Sequence, residues 1–185
     1  SNAAIAVHPE LGYADVEVGG HRYVVAETRV EALFGDEASE PSPRFVVHHR
    51  FTGAELVGRR YARPFDVVPV EDAGATAWTV VPGDFVSAED GTGLVHIAPA
   101  FGSDDFAAGQ RFELPLLRPV DDAGRFEESI PLVGGMFVKD ADPVVLDDLR
   151  ARGLLFRLEK VVHSYPHCWR CSSPLLYMAR DSWYI

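Results

Sequence analysis

Pro99 constrains this chain strongly because it separates a β-prone run from a helix start. It stands inside Gly91-Thr92-Gly93-Leu94-Val95-His96-Ile97-Ala98-Pro99-Ala100-Phe101-Gly102-Ser103-Asp104-Asp105-Phe106. Leu94-Val95-His96-Ile97 is entered from a double-glycine turn, which predicts a short, mostly buried strand. Proline cannot donate to a strand ladder, so the strand ends there. Gly102 permits a tight turn, and Ser103 is the expected N-cap of a helix running from Asp104 to about Phe112. Two aspartates in a first helical turn suit the helix dipole. The same turn also brings a carboxylate back toward His96, so a small polar site at a strand end is the rival reading of the pair.

Elsewhere the pattern is of short strands. Residues 4–26 read as strand, turn and strand, with Gly19-Gly20 as a hairpin signal. Glu27 to Phe34 reads as a short helix closed by Gly35, and Phe45 to Phe51 as a strand. On that strand His48 and His49 point to opposite faces, which argues against a shared metal. Gly53 to Gly58 reads as a single turn. Val67 to Val70 and Ala77 to Val81 are further expected strands. Asp142-Pro143 is an expected N-cap and first helical residue, with Gly153 closing that helix. Leu154 to Val162 alternates as a strand. The sum is a mainly β domain with short peripheral helices (α+β), expected as a closed or highly twisted β-barrel.

Composition sets limits on partners. The chain has 185 residues, 47% of them hydrophobic and 24% charged, which fits an ordinary globular domain. No apolar run is long enough to cross a bilayer, so no membrane partner is expected, and a cytoplasmic monomer is. Ser1-Asn2-Ala3 reads as the remnant of a cleaved tag, and the lack of an initiating methionine suggests a piece of a longer protein. Acidic residues outnumber basic ones 28 to 17, so any nucleic acid must be gripped at local patches such as Arg59-Arg60 with Arg63, or by other parts of the protein. There is no Walker loop, no Gly-x-Gly-x-x-Gly after a strand, and no nucleophile elbow.

The second motif is His163-Ser164-Tyr165-Pro166-His167-Cys168-Trp169-Arg170-Cys171. Cys168 and Cys171 have the spacing of half a zinc knuckle, and tetrahedral zinc wants four ligands. Three readings stay open: His163 and His167 complete a site, other sequence completes it, or the pair is an unmetallated remnant.

Gly91 to Asp105 strongly resembles the signature of the editing insertion of isoleucyl-tRNA synthetase. His163 to Cys171 resembles that family's return path toward the catalytic domain, and Ser182-Trp183-Tyr184 continues the likeness. The valyl relative shares the Gly-Thr-Gly and Pro-Ala frame, but His96 and Tyr165-Pro166 favour the isoleucyl family. The resemblance implies 1–3 as tag remnant, 4–162 as the editing domain and 163–185 as the return segment. It implies hydrolysis of valine mischarged onto the isoleucine tRNA, with the 3′ end of that tRNA and the rest of the synthetase as partners. Asp105 then holds the substrate's α-ammonium, and His96 lines the side-chain pocket and orients water. Gly91, Thr92, Gly93, Ala98, Phe101 and Gly102 complete the substrate-binding set, while Asp104 keeps the dipole role. No cofactor is expected in this stretch; zinc at Cys168 and Cys171 and ATP belong to the full-length enzyme. The family's threonine-rich strand has no match here, so the resemblance implies an incomplete and inactive site. A non-catalytic tRNA-docking module and a valyl-specific editing domain are the alternatives.

Overall fold

The computed structural model of the chain describes residues 1–35, 45–68, 70, 73–160, 164–180 and 183. In chain order its elements are β1 (Ala4–Val7), β2 (Gly12–Val18), β3 (His21–Ala26), α1 (Val30–Phe34), β4 (Phe45–Thr52), β5 (Val80–Pro82), β6 (Leu94–Ile97), α2 (Ser103–Phe112) and α3 (Val138–Ala151). Single 3-10 turns stand at Glu27–Arg29 and Gly53–Glu55.

Gly19 and Gly20 both hold positive φ, 57° and 81°, as a primed two-residue turn requires, and β2 and β3 pair across them as a hairpin. β4 takes the other edge of β2, with a register shift at Asp15/Val16. Ala14, Val16 and Val25 pack with Val30 and Phe34 of α1 to close a core on one face of this sheet. The second sheet is mixed. β1 lies at its centre, parallel to β5 and antiparallel to β6, so that Ile5 stands between Val80 and His96. Alanines at 3, 4 and 6 let α2 approach closely, burying Ala108 and Leu114 against Ile97 and Val81.

The expected mainly β architecture with short helices is present, but among the described residues the strands form two three-stranded sheets, and no closed barrel. Proline supplies a local reason. Pro82 and Pro99 end β5 and β6 after three and four residues, too short to carry a ladder around a closed surface. The sheets are joined at their ends by Ala26 N–H donating to the Thr92 carbonyl and Tyr13 Oη–H donating to the Gly93 carbonyl.

Other expectations need correction. α3 starts at Val138 and not at Asp142, with Phe137 at the N-cap. The Asp140 and Ala141 N–H groups close on the Phe137 carbonyl, and Ala141 is buried with Ile130 and Val133, which extends the helix one turn before Pro143. Pro143 therefore falls inside the helix, one turn past its start, where it has no N–H to donate to the Lys139 carbonyl. α2 begins at Ser103 with Gly102 as its N-cap, and no side chain caps it. Gly35 ends α1 in extended backbone at φ −79°. Residues 67, 68 and 70 form no strand; Val67 and Val68 pack into the satellite core around Ile130. Residues 154–160 form no ladder either, and Val161 and Val162 lie outside the described residues. Phe156 is instead held by rings, 5.1 Å from Tyr23 and 5.7 Å from Phe34 between centroids. At the amino end, Ala3 is fully buried and donates to the Ile97 carbonyl, while Asn2 Oδ1 accepts from Tyr61; this packing leaves the reading of Ser1 to Ala3 as a tag remnant untouched.

Candidate functional site

The corner between β6 and α2 is built by backbone and packing before any chemistry enters. A β-carbon at Gly109 would lie 2.8 Å from Pro99 Cβ, so the glycine lets the helix rest directly on the strand exit. Asp105 then reaches back across the turn, and its Oδ2 accepts the Ala98 N–H at 2.8 Å. Ala98 has just left the sheet, and its N–H would otherwise be a buried orphan donor. Among the described residues nothing donates to Oδ1. Asp105 is half-buried, whereas Asp104 is exposed on the outer side of the same helical turn.

His96 stands on β6 opposite Ile5, with one side open to solvent. Desolvation on its protein side lowers its pKa from the ordinary 6.5, the amino-terminal ammonium lowers it further, and the Asp105 carboxylate opposes both. His96 and Asp105 therefore feel one another electrostatically, although no hydrogen bond joins them. The result is an imidazole whose pKa is held below its ordinary value, within electrostatic reach of a carboxylate with one open oxygen. Such a pair can hold an ammonium at the carboxylate and leave the ring as a hydrogen-bonding wall.

The remaining residues expected at the site divide into two groups. Gly102 adjoins Asp105 at the start of α2, and Phe101 closes a turn by donating to the Ala98 carbonyl at 2.9 Å. Gly91, Thr92 and Gly93 lie at the other end of β6, where each carbonyl is taken by the β2–β3 sheet and the turn that follows it. Arg29 donates to the Gly91 carbonyl at 3.0 Å and to the Glu89 carbonyl at 2.9 Å. Ala26 N–H takes Thr92, and Tyr13 takes Gly93 at 2.8 Å. Gly93 has φ +76°, and a β-carbon there would collide with Ala26. These contacts account for the glycines by packing. Arg29 and Tyr13 carried no signal in the sequence, because their partners lie far along the chain.

Two cavities flank the corner. One, of about 440 Å³, lies between the start of α2 and residues 177–180. The other, of about 400 Å³, is largely apolar and runs from Ser1 and Phe101 to Ile130, Val133 and Tyr177. Neither has His96 or Asp105 in its lining.

Cys168 and Cys171 sit on a tight turn where Cys168 N–H donates to Ser173 and Ser172 N–H donates back to Cys168. Hydrogen bonds to Ser173 and Cys168 lower the Cys171 thiol pKa. His167 Nδ1 is 2.8 Å from the Tyr165 carbonyl, and His163 lies outside the described residues. Among the described residues no three His, Cys, Asp or Glu side chains form a metal set, so a self-contained zinc site does not arise from them. Two thiols are half of a tetrahedral set. His48 and His49 also stay apart: His48 Nε2 is 2.7 Å from Glu17, and the His49 ring lies beside Phe51. Among the described residues, no helix is long and apolar enough to cross a membrane.

No family model matches the chain. An isoleucine–tRNA ligase of Thermobifida fusca (strain YX) is 48% identical over 185 residues, all of this chain and 17% of that protein. Those of Bacillus thuringiensis (strain Al Hakam) and Mycobacterium leprae (strain TN) are 44% and 39% identical, again across the whole chain. The chain thus spans under a fifth of the length of these relatives. The crystal structure of GlLeuRS-CP1 superposes with a TM-score of 0.61 at 15% identity, covering 90% of this chain and 79% of that one. The P. knowlesi cytosolic leucyl-tRNA synthetase editing domain gives 0.55 at 12% identity, covering 96% and 79%. From end to end, then, the chain is homologous to one stretch of the isoleucine–tRNA ligases and has the fold of the leucyl-tRNA synthetase editing domains.

Proposed function

We propose that this chain is the proofreading domain of an isoleucine–tRNA ligase and hydrolyses valine esterified to the isoleucine tRNA. The observation that carries the reading is the Asp105 carboxylate, pinned through one oxygen to Ala98 and open at the other, within the field of a neutral His96. End-to-end homology to the ligases supplies the substrate class. One missing methylene is worth only about 1–3 kcal/mol in an apolar pocket, and isoleucine against valine is the pair from which that limit is known, so a second site must remove the error.

In this reading the open Asp105 oxygen binds the α-ammonium of the ester and fixes the scissile carbonyl. His96 bounds the side-chain pocket, admits valine and orients a water by hydrogen bonding. No general base is assigned among these residues. The tRNA 3′ end and the remainder of the ligase are the partners, the ligase's other domains perform the ATP-dependent charging, and any zinc at Cys168 and Cys171 requires donors from beyond the described residues.

Asp105→Asn separates the two duties of the carboxylate. The amide oxygen still accepts from Ala98, so the melting temperature stays near the parent's, while the charge-assisted hydrogen bond to the ammonium, worth about 1.5–3 kcal/mol, is removed. That corresponds to a fall of roughly 10- to 100-fold in kcat/KM for valyl-tRNA hydrolysis by the full-length ligase. Asp105→Ala has the same kinetic defect and in addition orphans the Ala98 N–H, lowering stability by about 1–3 kcal/mol. An Asn variant that hydrolyses at the parental rate rules out the ammonium-binding role.

A further inference from the structure

Two cores take up the side chains of β1 and β6, and one apolar residue is left out. Ala4 and Ala6 of β1 and Val95 and Ile97 of β6 pack on the α2 side, around Ala108. Val7 and Leu94 pack with Tyr13, Ala26 and Val80 at one end of the opposite face. Of the apolar residues of these two strands, Ile5 alone joins neither core. It is half-buried, while Ala4, Ala6 and Val7 beside it are fully buried. Alternation turns Ile5 to the face away from α2, and the register sets it directly opposite His96. Residues opposed in this way share a face, with β-carbons about 4.5–5.5 Å apart. On the other side of Ile5 stands Val80, which is buried, so the core on this face stops at Ile5 and leaves it beside the exposed histidine. A β-branched side chain on a central strand ordinarily completes a core, and this one ends it.

We propose that Ile5 is a specificity-determining residue of the hydrolytic corner, forming with His96 the wall that meets the aliphatic side chain of the amino-acid ester. This rests on the proofreading assignment. Asp105 meets the chain at Ala98, two residues beyond His96 and so about 7 Å along the strand direction. An amino acid spans such a distance between its ammonium contact and its side-chain contact. The His96–Ile5 pair then offers that side chain a ring and a branched aliphatic surface. Valine and isoleucine differ by one methylene and by no polar group, so the position of an apolar wall is what can tell them apart. The methyl groups of Ile5 set that position from the β1 side, as the ring of His96 does from β6.

The test is hydrolysis of valine and of isoleucine esterified to the isoleucine tRNA, by the full-length ligase and by its Ile5 variants. Ile5→Val removes one methylene, the increment by which isoleucine exceeds valine, and keeps the β-branched shape that a strand favours. It is expected to raise kcat/KM for the isoleucyl ester about tenfold, while that for the valyl ester stays within about threefold of the parent's. Ile5→Phe fills the same space and is expected to lower kcat/KM for the valyl ester about tenfold, mainly through KM. A merely structural Ile5 predicts instead that hydrolysis of both esters falls together in each variant, and no folding defect creates a gain on the isoleucyl ester. A ratio between the two esters that is unchanged in both variants overturns the role of Ile5 and leaves the proofreading assignment standing. A parent ligase that hydrolyses no valyl-tRNA overturns the proofreading assignment, and the role of Ile5 with it.

Discussion

Asp105 and Asp104 are adjacent carboxylates with different surroundings, and the difference comes from one backbone hydrogen bond. Asp105 closes the turn onto Ala98, whereas Asp104 faces water. The dipole reading therefore suffices for Asp104 and leaves Asp105 unexplained without the Ala98 hydrogen bond. His96 adds a pH signature. Its folded pKa lies below the unfolded value of 6.5, so between the two the unfolded chain binds the extra proton. Stability is then complete above about pH 6.5, falls as pH drops through the window beneath it, and levels off below the folded pKa. Urea midpoints across that range should show this decline in the parent and lose it in His96→Gln; superimposable curves would contradict the neutral ring. At the same residue, His96→Ala removes the ring that the proposed function makes the size limit, and should let the full-length ligase hydrolyse isoleucyl-tRNA as well as valyl-tRNA. Undiminished rejection of isoleucine in that assay would end the size-limiting role.

Among elements, the turn at Gly91–Gly93 shows what a local reading can and cannot see. The glycines marked the turn, and Pro99 marked the end of β6, because φ restriction and missing donors act within a few residues. What the turn rests on was hidden: Arg29, Ala26 and Tyr13 reach it from far earlier in the chain. The same limit explains residues 154–160, where alternation promised a strand and aromatic packing of Phe156 replaced the ladder. It explains α3 too, since burial of Ala141 outweighed the local Asp-Pro signal. Gly93→Ala combines a left-handed backbone with a clash against Ala26. The expected cost is about 3 kcal/mol, a fall of roughly 6–12 °C in melting temperature. A fall of less than about 2 °C in a thermal melt would show that the turn relaxes freely.

For the whole molecule, the mainly β character and the strand–turn–helix that carries His96 and Asp105 were legible, and the arrangement of the strands as two sheets in place of a barrel was not. Alternation identifies strands, but their partners depend on pairings across the entire chain, and two sheets joined at their ends satisfy the same alternation as a barrel. The site depends on both sheets: one carries His96, and the other clamps the turn from which its strand departs. Because β1 must wait for β5 and β6, its sheet closes only after Ile97 has been synthesised, whereas β2, β3 and β4 pair within a nearer stretch of chain. Loop closure over such a separation is slow, which makes this sheet the late event in folding. On the proposed reading, a variant that weakens the long-range sheet would lose valyl-tRNA hydrolysis while the β2-centred sheet still folds, so lost proofreading would accompany nearly unchanged secondary structure.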